Sequence, residues 1–326
     1  MSVLGAALAA LPLCAQVALS PGDHTCVMDG WRDREVIVHV PPGGAEGRPL
    51  LLNLHGGGGR KERAVRATCP DGDTTSTGCL TAVADRRGIV VVTPDGTARW
   101  GRFRSWNAGG GSDGWRCTGG RACAENVDDV AFMDAVVASL ATRLRTSSVH
   151  ATGISNGGAM AHRLACEGRV SSIVAVAGAN QAQGAPGCAA PRPVAVLQIH
   201  GTEDPCWGWD GTIGTCLQRV PGPGFVSVGA TMEGWSARLR CRGEPVTEAI
   251  PVREPSDPTR ATRAAWQGCD APLALVRIAG GGHAWPDGWP YLSERRIGVV
   301  SRQVSGASLV GDWVIEADAR VRATTP

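Results

Sequence analysis

A serine hydroxyl is a weak nucleophile until a base removes its proton, so the pattern that would make one reactive is a serine on a sharp turn, followed by a carboxylate and a histidine. Gly153-Ile154-Ser155-Asn156-Gly157 supplies the turn, with small residues that hold the Ser155 hydroxyl clear of the backbone. A second stretch of the same spacing, Gly110-Gly111-Ser112-Asp113-Gly114, lies in a glycine-rich loop with no strand before it and reads as structural. Of the 7 histidines, only His162, His200 and His283 follow Ser155. His162 falls inside the helix expected after the serine, where it faces solvent or packing, and His200 ends a strand. His283 closes the loop Gly280-Gly281-Gly282-His283 after a strand and follows an acidic candidate, so it reads as the base. For the acid, His200-Gly201-Thr202-Glu203-Asp204 offers Asp204 and, as a close rival, Glu203; either carboxylate could orient the imidazole. Asp210 and Asp257 lie in loops farther from any strand end and read as solvated.

Acyl transfer also needs two preorganised N–H groups for the oxyanion of the tetrahedral intermediate. One is expected from Asn156, directly after the nucleophile. The second is expected from Gly57 in the run His55-Gly56-Gly57-Gly58-Gly59, where glycines allow the backbone to approach a substrate closely.

These groups meet only if strands deliver them to one edge of a sheet. Pro49 to Leu54 and Gly88 to Thr93 are short continuous apolar runs, the pattern of strands buried on both faces of a parallel sheet, and are expected side by side. Ser148 to Thr152, Ser172 to Ala177, Pro193 to Ile199 and Leu273 to Ile278 read the same way. Asn126 to Arg145 and Asn156 to Cys166 read as helices, and a helix over roughly Ser308 to Ala319 closes the chain. Thr25 to Val40 reads as an edge hairpin around Asp29-Gly30. Alternating strands and helices imply an α/β fold, a mostly parallel central sheet with helices on both faces. The segment 205–224, with two cysteines and two tryptophans, shows no regular pattern and reads as a loop over the site rather than a domain.

At 326 residues the chain is long enough for one large α/β domain, and a net charge of +2 offers no electrostatic footprint for nucleic acid or an anionic membrane. Residues 1–20 read as a signal peptide, with an apolar run from Val3 to Leu13 too short to span a membrane, leaving a single catalytic domain over 21–326. The 12 cysteines, none in a CxxC pair, point to disulfides in an oxidising compartment, extracellular or periplasmic. Proximity suggests Cys69 with Cys79, Cys117 with Cys123, Cys206 with Cys216, Cys166 with Cys188 and Cys241 with Cys269, which leaves Cys26 over once a leader carrying Cys14 is removed. Trp is over-used, 11 against 3 Phe and 1 Tyr, and its flat face suits aryl groups or polymer chains. Trp207 and Trp209 beside the acid and Trp285 and Trp289 beside the base are expected near the catalytic mouth, with Trp207, Trp209 and Trp285 as candidate substrate contacts and structural packing as the alternative.

Together these segments resemble the secreted polyhydroxybutyrate depolymerase and feruloyl esterase family of α/β-hydrolases, which also includes acetylxylan esterases. The resemblance runs from about Gly22 to Trp313. It is carried by Leu54-His55-Gly56-Gly57, Pro94-Asp95-Gly96, Ser105-Trp106-Asn107-Ala108-Gly109, Asn126-Val127-Asp128-Asp129-Val130, the Ser155 and Asp204 segments, and Gly281-Gly282-His283-Ala284-Trp285-Pro286. It implies an α/β-hydrolase fold, a triad of Ser155, Asp204 in preference to Glu203, and His283, and oxyanion donors at Gly57 and Asn156. It further implies no metal and no organic cofactor, and the pairs Cys166–Cys188 and Cys241–Cys269 resemble pairs found in the family. The substrate it implies is an ester, a polyester of the polyhydroxyalkanoate type first, with feruloylated or acetylated plant polysaccharide as the alternative. A secreted polymer-binding protein without activity is the reading of another class, and three intact catalytic groups argue against it. The loop 205–224 departs from the family pattern, which leaves substrate choice open.

Overall fold

The computed structural model describes residues 11–99, 102–109, 120–181, 188–214, 216 and 224–324. Among these, strands β1 (Gly22–Met28), β2 (Trp31–Val40), β3 (Leu50–Leu54) and β4 (Val90–Pro94) are followed by a small hairpin, β5 (Thr97–Arg99) and β6 (Arg102–Ser105). Then come β7 (Val149–Ile154), β8 (Ser172–Val176), β9 (Ala195–Gly201), β10 (Val246–Ala249), β11 (Arg260–Ala265) and β12 (Leu273–Ala279). All but β5 and β6 join one sheet in the order β1-β2-β4-β3-β7-β8-β9-β12-β11-β10. The six strands from β4 to β12 in that order run parallel, and antiparallel pairs close both edges. This is the mostly parallel α/β sheet that the apolar runs imply, in the α/β-hydrolase architecture that the resemblance implies.

Every residue of β3, β4, β8 and β9 is buried, because helices cover both faces. The side-chain period of a strand is two, so alternate residues feed two cores. Leu50, Leu52, Ala151, Ile173 and Val196 pack with α4 (Asp129–Leu144), α5 (Asn156–Cys166) and α6 (Val228–Arg238). Leu51, Val91, Val174, Leu197 and Val276 pack on the other side with α2 (Leu80–Arg87) and α8 (Gly306–Thr324). The short helices α1 (Lys61–Ala67), α3 (Arg121–Ala124) and α7 (Glu294–Ile297) lie in connections at the strand ends. Asp128 caps α4 by accepting from Ala131 N at 2.9 Å. Its neighbour Asp129 does more than suit the helix dipole: it is fully buried, ion-paired with Arg34 at 2.7 Å, and accepts from Asn107 N.

The described residues of the segment expected as a leader pack against the domain from Pro12 on. Cys14 is bonded to Cys26, Leu13 bridges to Val27, Val17 is 3% exposed, and Arg143 donates to the carbonyls of Cys14 and Val17. Cys26 therefore has a partner, and Cys14 and Val17 pack in the core beside β1. Cys69–Cys79, Cys166–Cys188, Cys206–Cys216 and Cys241–Cys269 are bonded as proximity suggests. Cys123 is also disulfide-bonded. Cys117 and Ser112 lie outside the described residues. No helix of the described residues is long and apolar enough to cross a membrane.

Candidate active site

Ser155 stands between β7 and α5 with φ 57° and ψ −122°, a left-handed backbone that a side chain adopts only under constraint. The constraint is steric and local. A Cβ on Gly157 would sit 2.3 Å from the Leu54 carbonyl oxygen, and one on Gly153 would sit 2.6 Å from the Gly157 backbone. The two glycines thus let β7, α5 and the end of β3 close around one point, with Ser155 N–H donating to Val176 O at 2.8 Å.

From the end of β3 the loop His55 to Gly59 passes beside that turn. A Cβ on Gly57 would lie 3.8 Å from Asn156 Cβ, so the two expected oxyanion donors are neighbours. Sequence reasoning missed what braces them. Asn156 Oδ1 accepts from Trp106 N at 2.7 Å while its Nδ2 donates to Trp106 O at 3.0 Å. The Trp106 indole N–H donates to His55 O at 2.9 Å, and its ring lies 4.8 Å from the His55 ring. His55 Nε2 accepts from Gly96 N, which leaves Nδ1–H for Gly56 O at 2.8 Å. Burial draws the His55 pKa down to about 4, so the ring is neutral and this tautomer persists. The motifs around Gly96 and Trp106 are therefore the supports of the glycine loop.

Beyond β9, Asp204 is buried and turned toward His283. His283 Nδ1 lies 2.7 Å from Asp204 Oδ2, while Asp204 Oδ1 accepts from the N–H groups of Cys206 at 2.7 Å and Trp207 at 2.8 Å. Burial opposes ionisation of this carboxyl, but the His283 ring and the converging hydrogen bonds outweigh it and hold the pKa below the ordinary range. Glu203, the rival acid, is exposed. Asp210 is exposed as expected, whereas Asp257 is not solvated: it is buried and accepts from Thr259 N and Arg302 N. Tyr291 Oη donates to His283 O at 3.1 Å and steadies the base from the far side.

Ser155, Asn156, Gly57 and His283 line one cleft of about 1260 Å³. No hydrogen bond joins Ser155 to His283 here, as is common before substrate tightens a site. Trp207 borders the cleft but is only 1% exposed, its ring buried in the core and stacked on Phe225, centroids 4.0 Å apart. The other two candidate tryptophans lie elsewhere. Trp285 is 1% exposed and packs in the core under α8, where a Cβ on Gly306 would meet its ring. Trp209 lies edge-on to His200 and against Arg277. Four residues beyond Trp285, Trp289 lines the cleft with Arg66 stacked 3.9 Å over its ring. Phe103 joins it from the β5–β6 hairpin, 68% exposed and at φ 52°. An isolated Phe in a short strand gives no sequence signal for such a role.

A strained serine at a strand-to-helix turn, two adjacent backbone donors and a His–Asp pair on one cleft define the class of an α/β-hydrolase equipped for acyl transfer. No family model matches the chain. It is 32% identical over 313 residues to the protein named "Putative esterase NocK" of Nocardia uniformis subsp. tsuyamanensis, covering 89% of this chain and 81% of that one. It is 24% identical over 276 residues to feruloyl esterase B of Piromyces equi, 80% of this chain and 45% of that protein. Among solved structures, the acetyl xylan esterase from Aspergillus awamori shares the fold, with a TM-score of 0.51 and 13% identity over 77% of this chain and 89% of that one. The chain belongs to the esterase family of this Nocardia relative, and it is a carboxylic ester hydrolase. It spans about half the length of the Piromyces feruloyl esterase it matches, 45%.

Proposed function

We propose that the protein hydrolyses esters through an acyl-enzyme on Ser155, and that its acyl group is flat and largely apolar, a hydroxycinnamate ahead of a hydroxyalkanoate. Ser155 Oγ attacks the ester carbonyl as His283 Nε2 takes its proton, with Asp204 holding the Nδ1–H tautomer and stabilising the imidazolium. The oxyanion is met by the N–H groups of Asn156 and Gly57. His283 then protonates the departing alcohol, and water attacks the acyl-enzyme by the reverse relay. The observation that carries this reading is the 2.7 Å contact of His283 Nδ1 with Asp204 Oδ2 on the cleft that Ser155 enters.

The exposed Phe103 ring and the part-exposed Trp289 ring on the cleft support an aryl acyl group, as do the relatives named feruloyl esterases. The disulfides support work outside the reducing cytoplasm, as a single catalytic domain. The test compares p-nitrophenyl acetate, methyl ferulate and a polyhydroxybutyrate suspension as substrates for wild type and Ser155→Ala. Loss of all turnover in the variant with methyl ferulate favoured by the wild type is expected; clearing of the suspension without ferulate release would overturn the substrate class.

A further inference from the structure

Four buried side chains outside the triad form a continuous hydrogen-bonded line that ends at Asp204. Trp235 on α6, His162 on α5, and Gln198 and His200 on β9 are all 0–1% exposed. An indole N–H can only donate, so the 3.0 Å contact of Trp235 Nε1 with His162 Nδ1 makes Nδ1 an acceptor. The proton of neutral His162 is then on Nε2, which donates to Gln198 Oε1 at 2.9 Å. That orients the amide: Gln198 Nε2 faces Gly178 O at 3.2 Å, His200 Nδ1 at 3.3 Å and, more distantly, Ile199 O at 3.4 Å. His200 Nδ1 is in turn an acceptor, so its single N–H is on Nε2, 2.8 Å from Trp207 O and 3.4 Å from Asp204 Oδ2. One donor at the start of the line thus sets the tautomer at its end.

We propose that His200 is a positioning residue for the acid, a neutral imidazole whose Nε2–H is aimed by the Trp235–His162–Gln198 line at both the Trp207 carbonyl and the Asp204 carboxylate. This rests on the reading of Asp204 as the acid. The turn Asp204 to Trp207 is pinned twice: its N–H groups hold Oδ1 from inside, and His200 holds the Trp207 carbonyl from beneath. With both fixed, Oδ2 points at His283 and Trp207 borders the cleft. The opposite tautomer would set the His200 Nε2 lone pair against two acceptors and push the turn away from His283. Burial draws the pKa values of His162 and His200 down, in keeping with neutral rings. His200 touches no substrate and acts only through Asp204 and Trp207.

Two measurements test this. Long-range proton–nitrogen correlation spectra of the whole labelled protein are expected to show His162 and His200 as Nε2–H tautomers from pH 6 to 8; an Nδ1–H tautomer or an imidazolium at His200 overturns the proposal. In kinetics normalised by active-site titration, His200→Leu is expected to lower kcat about 10- to 100-fold with KM within about twofold, the range that misplacement of a catalytic group produces. His200→Gln places an amide N–H near the Nε2 position and is expected to recover most of that loss. Trp235→Phe keeps the ring, removes only the first donor, and is expected to lower kcat a few-fold. A merely structural His200 predicts normal kcat for every folded molecule, and Gln no better than Leu; either result overturns the proposal. Should His200→Leu fail to fold, the spectra and Trp235→Phe decide. Full activity in Asp204→Asn would remove the acid assignment and this proposal together, whereas an inactive Asp204→Asn beside a fully active His200→Leu would remove this proposal alone.

Discussion

Lowering the pH from 7 to 5 is expected to weaken this fold far more than its charge balance suggests, because four histidines, His55, His150, His162 and His200, are buried in the neutral state. His55, His150 and His162 each have a pKa drawn from 6.5 to about 4, with burial as the leading cause. A base whose folded pKa is depressed binds its proton first in the unfolded chain. Stability is therefore complete above pH 6.5 and falls as the pH drops toward 4. Integrating the linkage to pH 5 gives about 2 kcal/mol per histidine, and hence about 5–6 kcal/mol for those three. His39 opposes this loss. Burial lowers its pKa, but hydrogen bonds to Asp23 and Asp85 raise it by more, so its contribution is present at acid pH and is lost as the pH rises through the raised value. The assay is urea unfolding followed by tryptophan fluorescence at pH 7, 6 and 5. His150 is the cleanest probe, since it contacts only Ser148 and Ser172 through its ring nitrogens, away from the cleft. His150→Asn is expected to be less stable at pH 7 yet to lose about 2 kcal/mol less between pH 7 and 5. An unfolding free energy that is flat over this range, or a variant that keeps the wild-type slope, would refute the reasoning.

Two further outcomes follow from the cleft. Gly157→Ala places a Cβ 2.3 Å from Leu54 O and is expected to abolish ester turnover while far-ultraviolet circular dichroism stays native; activity within about tenfold of wild type would mean that the turn tolerates what its geometry forbids. Phe103→Ala removes an aromatic ring that is 68% exposed on the cleft and is expected to lower kcat/KM for methyl ferulate about tenfold more than for p-nitrophenyl acetate; equal losses on both would remove Phe103 from substrate contact.

What the sequence made legible is what repeats on a simple period. The parallel strands β3, β4, β7, β8, β9 and β12 stand where continuous apolar runs announce them, and chain order alone separates His283 from His162 and His200. β10 was not legible: all four of its residues are exposed, and it exists because β11 offers it a backbone partner. β11 and α6 were missed for a related reason, since neither carries a strong apolar period; Trp235 and Met232 pack through tertiary contacts. The Cys14–Cys26 bond was obscured by an apolar segment that suits a leader as well as a core. Trp285 and Trp289 flank one turn, and only the path of the chain past α8 sends the first into the core and the second into the cleft. Buried polar side chains were the least legible, because His162 on a helix reads as surface until Trp235 and Gln198 are seen to partner it.

The central claim is that Ser155 is the nucleophile. Incubation with diethyl p-nitrophenyl phosphate, followed by intact mass and peptide mapping, tests it most directly. One diethylphosphoryl group on Ser155, in step with loss of p-nitrophenyl acetate turnover and absent from Ser155→Ala, is the predicted result. An active enzyme that takes up no label, or a label on any other residue that accompanies inactivation, would contradict it.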